Sequence, residues 1–215
     1  MILAFNGSPR LKGNTAAMLQ AALDGAASAG AETRLIHLYP LKAKGCISCF
    51  SCKRKGGSHG VCAMKDELSP ILELMKQADG LIFGSPIYYY NVTPELLALL
   101  HRFMFSNMLY TKQDRWQYGR IVPSAFVYTF GVPPEMTESI LAPFAAVHTR
   151  MGEMLGIPSE ICCAANAWQF HDYSQYEADL FDEAAKKLYR EEVFPLELEK
   201  ARRMGERMAR KASQR

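Results

Sequence analysis

The 215-residue chain lacks any apolar run of about 18 residues, so no transmembrane helix is expected. Its apolar start, Met1–Phe5, is short, has no basic flank and gives way to Asn6. No secretory signal is therefore expected, and a reducing cytoplasm is the expected location. Cysteine is scarce: six residues are too few for a disulfide-stapled scaffold, and grouped cysteines in that setting point to metal or redox chemistry. An excess of one charge is also missing. With 25 Lys and Arg against 22 Asp and Glu, the net charge of +3 is too small to indicate nucleic-acid binding. The hydrophobic fraction of 49% with 22% charge excludes a disordered chain. There is no internal repeat or low-complexity linker. The length fits one domain, or one domain with an appendage. The basic excess sits at the end, where seven Lys and Arg from Lys200 to Arg215 oppose only Glu199 and Glu206. Such a run reads first as a solvated helix face, with a phosphate or membrane contact as the alternative.

What is present is an alternation of strand and helix signals. Ile2–Phe5, Thr33–Leu38, Gly80–Gly84, Ile121–Tyr128 and Glu160–Ala165 read as strands, near-continuous and apolar. Between them, Asn14–Ala29 carries Ala16, Leu19, Leu23 and Ala27 at helical spacing and stops at Gly30. Asp66 reads as the cap of a helix over Leu68–Ala78. Thr93-Pro94-Glu95 opens another with proline in its first turn. Pro143–Leu155 reads as helical, Ser174–Glu192 as a helix broken near Pro195, and Leu196, Ala201, Met204 and Met208 mark a last amphipathic helix. Pro40–Met64 has little periodicity and reads as a loop. The pattern predicts a doubly wound α/β fold: a five-stranded parallel sheet covered on both faces. The expected division is a sheet domain over residues 1–193, with a cysteine-rich loop at 45–65, and a C-terminal helical extension over 194–215.

Ligands of such sheets bind beyond the carboxyl ends of the strands. After the first strand comes Gly7-Ser8-Pro9-Arg10-Leu11-Lys12-Gly13-Asn14-Thr15. A helix N-terminus there offers free N–H groups to an anion, with Ser8, Asn14 and Thr15 as short donors and Arg10 or Lys12 as charge. The glycine spacing does not match a P-loop, and Asn14 stands where its lysine would be. A dinucleotide glycine pattern is missing too, which leaves a monophosphate cradle or an ordinary capped turn. Gly84-Ser85-Pro86-Ile87-Tyr88-Tyr89-Tyr90-Asn91 follows the third strand and supplies apolar walls for a flat ring. Tyr128-Thr129-Phe130-Gly131 follows the fourth. Three such loops at matching strand ends suit a ring system tethered to one phosphate.

Gly7-Ser8-Pro9-Arg10…Gly13-Asn14-Thr15 together with Gly84-Ser85-Pro86-Ile87-Tyr88 resembles the flavodoxin-like NAD(P)H-dependent FMN reductases, over roughly residues 1–165. The cysteine loop is similar to that of the iron–sulfur flavoproteins within that superfamily. The resemblance implies a flavodoxin-like sheet of order 2-1-3-4-5 and non-covalent FMN. Ser8, Arg10, Asn14 and Thr15 would hold the phosphate. Pro86, Ile87, Tyr88 and Tyr89 would line the isoalloxazine with Asn91 nearby, and Thr129 and Gly131 would close the third side. It also implies homodimers or homotetramers with FMN near the subunit contact. The segment His101–Tyr118, with Phe103, Met104, Phe105, Met108, Leu109, Tyr110, Trp116 and Tyr118, is more apolar than one helix can bury. Flavodoxins proper are strongly acidic electron carriers; this slightly basic chain favours a reductase.

Cys46, Cys49, Cys52 and Cys62 are spaced so that their thiolates can converge on one centre. A 4Fe-4S cluster, no metal at all, and tetrahedral zinc all remain open, because the last gap of nine residues is longer than in the iron–sulfur flavoproteins. His59 is the one alternative ligand, and Lys53, Arg54 and Lys55 would lie beside a cluster or form a solvated turn. Cys162 and Cys163 read as small core hydrophobes. The remaining histidines and carboxylates form no catalytic arrangement, and flavin chemistry needs none. Three readings follow. The first is an FMN-dependent oxidoreductase moving hydride from NAD(P)H to a small acceptor such as a quinone or free flavin. The second passes electrons between a cluster, FMN and a partner protein. The third is a non-catalytic flavin-binding module.

Overall fold

All five apolar runs become strands of one parallel sheet in a computed structural model that describes residues 1–214. The chain runs β1 (Ile2–Asn6), α1 (Asn14–Ser28), β2 (Thr33–His37), α2 (Ser69–Gln77), β3 (Gly80–Pro86) and α3 (Pro94–Ser106). It continues through β4 (Ser124–Thr129), α4 (Thr137–Leu141), α5 (Ala145–Leu155), β5 (Glu160–Ala164), α6 (Glu183–Leu188) and α7 (Phe194–Ser213). The sheet order is β2-β1-β3-β4-β5, the flavodoxin-like order that the resemblance implied. In register, Asn6 sits beside His37 and Gly84, Pro86 beside Thr129, and Thr129 beside Ala164, so the carboxyl ends line up along one edge.

Burial on both faces explains the strand compositions. Every residue of β1 and β4 is buried. Phe83 of β3 meets Phe103 of α3, and Phe126 of β4 meets His148 of α5 at 4.6 Å, so α3 and α5 cover one face. Tyr118 bridges α3 and α2: its ring lies edge-on to Phe103, and its hydroxyl donates to the Met75 carbonyl. The other face carries α1 and α7, which touch backbone to backbone. A Cβ on Gly25 would stand 1.9 Å from the Arg202 carbonyl oxygen, and one on Gly205 would stand 1.7 Å from that of Ala22. Ala201, Met204 and Met208 of α7 are buried in the common core. The polar side of α7 is laced by ion pairs of Lys200 with Glu197, Arg203 with Glu199 and Arg207 with Glu160, so this basic run is a solvated helix face. Arg215, its last member, lies outside the described residues.

Several boundaries depart from expectation. The fourth strand starts at Ser124 rather than Ile121, after Pro123, which has no N–H for a ladder bond. The helix expected from Pro143 begins as α5 at Ala145, preceded by α4 and a single 3-10 turn at Ala142–Phe144. The helix expected from Ser174 starts only at Glu183, where the Asp182 carboxylate accepts from the Ala185 N–H. Stacking of Phe170 on Tyr176 at 4.1 Å holds the preceding segment as an irregular loop. Pro195 does not break the chain. The turn before it, Tyr189–Val193, widens to π geometry, and the proline sits in the first turn of α7, where its missing N–H costs nothing. Asp66 is a weaker cap than expected: it accepts the Leu68 N–H, but its carboxylate is engaged chiefly by Arg102. Among the described residues no helix is long and apolar enough to cross a membrane.

Candidate functional site

The carboxyl ends of β1, β3, β4 and β5 enclose one cavity of about 200 Å³. Its floor is the start of α1. Gly13 caps that helix without a side-chain acceptor, and the first internal bond runs from the Ala17 N–H to the Gly13 carbonyl. The Asn14, Thr15 and Ala16 N–H groups precede it and have no intrahelical acceptor. The positive end of the helix macrodipole therefore faces the cavity. Ser8 is buried, and its hydroxyl accepts the Arg10 N–H, which folds the loop back over the helix end. Thr15 and Thr129 hydroxyls meet at 2.8 Å and join the first loop to the fourth strand. The Thr93 hydroxyl donates to the Gly7 carbonyl at 2.7 Å and ties in the third loop.

Nine of the eleven residues expected at a flavin line this cavity: Ser8, Arg10, Asn14 and Thr15 at the helix end, Pro86, Ile87 and Tyr88 on one wall, Thr129 and Gly131 on another. Tyr89 and Asn91 are not among them. A bridge between Tyr88 and Asn91 closes a tight turn in which Tyr89 and Tyr90 take positive φ, and Tyr89 is fully exposed.

Sequence reasoning stopped at three loops and missed the fourth. Ala167, Trp168, Gln169 and Phe170, after β5, line the cavity as well. Their signal was available in the rule that served the other strand ends, applied to one more strand. This segment lies against the cradle. Arg10 Nη1 donates to the Gln169 carbonyl at 2.5 Å, and Asn14 Nδ2 donates to that of Trp168 at 2.9 Å. Arg190 in turn donates to Asn14 Oδ1. Gln169 reaches across to Gly131, where a Cβ would come within 2.5 Å of its amide nitrogen. Its Oε1 is buried and accepts no hydrogen bond. An orphan acceptor and an uncapped helix N-terminus are the two features that an N–H-bearing ring on a phosphate tether would satisfy, so the residues fit FMN.

The cysteine loop forms a second feature. Cys46, Cys49, Cys52 and Cys62 all border one cavity of about 20 Å³, room for a single water. The buried cation beside them is Arg102, while Arg54 of the Lys53–Lys55 run acts on the exposed Cys49. Lys53 instead lies over the Phe105 ring at 4.0 Å. Arg102 is 1% exposed, pairs with Asp66 at 2.6 Å, and leaves its Nε unpartnered at the cavity wall. Burial opposes ionisation of Asp66, but the Arg102 guanidinium together with the Lys44 and Leu68 N–H groups holds the carboxyl below its usual range. Cys49 is exposed, and hydrogen bonding from Ser51 lowers its thiol pKa. As the side chains stand, no group among the described residues is close enough to hold a metal ion. Cys162 and Cys163 lie in β5 far from this loop, and burial pushes the Cys162 thiol up to about 12, in keeping with an inert core residue.

With the geometry in hand, the family model for NADPH-dependent FMN reductase matches residues 1–137. The chain belongs to that family. An iron–sulfur flavoprotein of Methanocaldococcus jannaschii is 39% identical over 101 residues, which are 47% of this chain and 50% of that protein. One from Archaeoglobus fulgidus is 34% identical over 98 residues, 46% of this chain and 43% of that protein. The chain thus spans about half the length of the curated relatives it matches. Among solved structures, the NAD(P)H:quinone oxidoreductase of Methanothermobacter marburgensis superposes over 95% of this chain and 94% of its own, with a TM-score of 0.63 and 16% identity. RosB, with bound 8-demethyl-8-formylriboflavin-5'-phosphate, superposes over 99% of this chain and 80% of its own, with a TM-score of 0.65 and 14% identity. These two share the family's flavodoxin-like fold.

Proposed function

We propose that the protein is an FMN-dependent oxidoreductase that takes reducing equivalents from NAD(P)H and delivers them to a small acceptor such as a quinone or free flavin. Family membership supports flavin-dependent oxidoreduction. The observation that carries the finer reading is one cavity joining an uncapped helix N-terminus to apolar and amide-bearing walls. The α1 N–H groups, Ser8 and Thr15 hold the phosphate, and Arg10 and Asn14 add charge and a donor. Pro86, Ile87 and Tyr88 form one wall against the ring, with Trp168 and Phe170 excluding water opposite. Gln169 Oε1 accepts from a ring N–H. FMN, when bound, supplies hydride chemistry with nicotinamide, so no side chain here need act as acid or base. The sheet unit carries the site, with α7 bracing it through α1. FMN-loaded protein is expected to oxidise NADPH or NADH in steady state when a quinone or free flavin is added. Stoichiometric FMN with no turnover on either nucleotide would reduce the protein to a flavin-binding module.

A second reading has its own observation: four cysteines share one cavity with the buried Arg102, whose Nε alone lacks a hydrogen-bond partner. The donor set suits a 4Fe-4S cluster held by Cys46, Cys49, Cys52 and Cys62, a group that supplies one-electron transfer to a partner. A cavity of about 20 Å³ is too small for it, so the fit requires this loop to open. Anaerobically prepared protein holding about four iron and four sulfide per chain would support this reading, and iron-free protein after reconstitution would end it.

Self-association to a homodimer or homotetramer belongs to the same proposal. Phe103 and Tyr118 are absorbed by the core, but Met104, Phe105, Met108 and Trp116 border an apolar cavity of about 500 Å³ that also includes His101. A monomer by light scattering at micromolar concentration would reject this part.

A further inference from the structure

Lys186 of α6 is 1% exposed and makes no ion pair among the described residues. A buried charge without a counter-charge is expensive, and proteins retain it where it has a task. Its Nζ donates to the Gly131 carbonyl at 2.6 Å and reaches the Ala167 carbonyl at 3.4 Å, with the Phe181 ring 4.6 Å away. Gly131 and Ala167 both line the flavin cavity, one after β4 and one after β5. The ammonium therefore stands one peptide group behind the cavity wall and adds a charged tie to two loops already joined by the Ala167 N–H to Phe130 carbonyl and Asn166 N–H to Val132 carbonyl bonds. Burial lowers its pKa to about 8, so it is still mostly protonated at neutral pH. The residue lies beyond 1–137, the part matched by the family model.

We propose that Lys186 is a positioning residue of the flavin site: it fixes the Gly131 and Ala167 walls, and its buried charge favours the reduced, negatively charged flavin over the oxidised one. Two carbonyl dipoles and a ring face only partly satisfy a full positive charge. A ligand that gains negative charge on reduction, across one peptide layer of low dielectric, supplies the missing complement. The inference rests on the FMN reading of the cavity.

Three variants separate the two roles. Lys186→Gln keeps a donor and removes the charge, Lys186→Met removes both, and Lys186→Arg keeps both. The measurements are the dissociation constant of oxidised FMN by calorimetry and the two-electron midpoint potential of the bound flavin, titrated with dithionite. Lys186→Gln is expected to bind oxidised FMN within about twofold of the parent protein. It should bind reduced FMN about tenfold more weakly, a fall of about 30 mV in the two-electron potential. Lys186→Met should show that fall and also bind oxidised FMN more weakly, and Lys186→Arg should restore both. Replacing the buried charge with a neutral side chain is not expected to unfold the protein. If the variants bind FMN at an unchanged potential, the electrostatic role is overturned. If Lys186→Met binds oxidised FMN as the parent does, the positioning role is overturned. If the parent protein binds no FMN, the underlying reading fails first, and the potentials are not the cause.

Discussion

Riboflavin is expected to bind this protein at least a hundredfold more weakly than FMN. The two share a ring, so the difference isolates the phosphate. On the proposed reading, that phosphate would meet the Asn14–Ala16 N–H groups, the Ser8 hydroxyl and the Arg10 guanidinium. Charge-assisted hydrogen bonds contribute about 1.5–3 kcal/mol each, and two of them give roughly a hundredfold to ten-thousandfold. The double substitution Arg10→Ala with Asn14→Ala should weaken FMN by a comparable factor and weaken riboflavin much less. It also releases the carbonyls of Gln169 and Trp168, to which these two side chains donate. Calorimetry with both ligands on both proteins checks this, and equal affinity of the parent protein for riboflavin and FMN would contradict the cradle.

Gly205→Ala is expected to destabilise the protein by about 3 kcal/mol, against the trend for glycines in helices. Replacing glycine by alanine in an exposed helix interior ordinarily gains up to about 1 kcal/mol. Here the new Cβ would stand 1.7 Å from the Ala22 carbonyl oxygen, and the obstacle is backbone, not a flexible side chain. Overpacking of this kind typically costs about 1–3 kcal/mol and more when two helices must separate. For a chain of this size the melting temperature should fall by roughly 6–12 °C. Thermal unfolding followed by circular dichroism measures it. An unchanged or raised melting temperature would mean that α1 and α7 are not in backbone contact.

The strands were legible because a parallel sheet buried on both faces demands continuous apolar runs, and Ile2–Phe5 and Gly80–Gly84 are such runs. The cradle was legible because its donors are short polar residues at a strand-to-helix turn. The fourth wall was not seen because Trp168, Gln169 and Phe170 carry no Gly-Ser-Pro punctuation, and aromatic side chains are usually core. The family resemblance implies Tyr89 at the ring with Asn91 nearby, but Tyr89 and Tyr90 take positive φ and Tyr89 is fully exposed. The sequence offers Lys53, Arg54 and Lys55 beside the cysteines or as a solvated turn, and gives no sign of a buried cation there. Arg102, on α3, reaches the loop only through tertiary packing, and its one local trace is a lone arginine within Leu96–Phe105. Lys186 has the same character: nothing in its helix hints that its partners are two carbonyls on other loops.

Reduction of the bound flavin by nicotinamide is tested anaerobically. Purified protein loaded with one equivalent of FMN is mixed with NADPH, and separately with NADH, and the visible absorbance of the oxidised flavin is followed. This absorbance is expected to be lost with at least one nucleotide and to return on adding a quinone. A bound flavin whose spectrum is changed by neither nucleotide would contradict the proposed function.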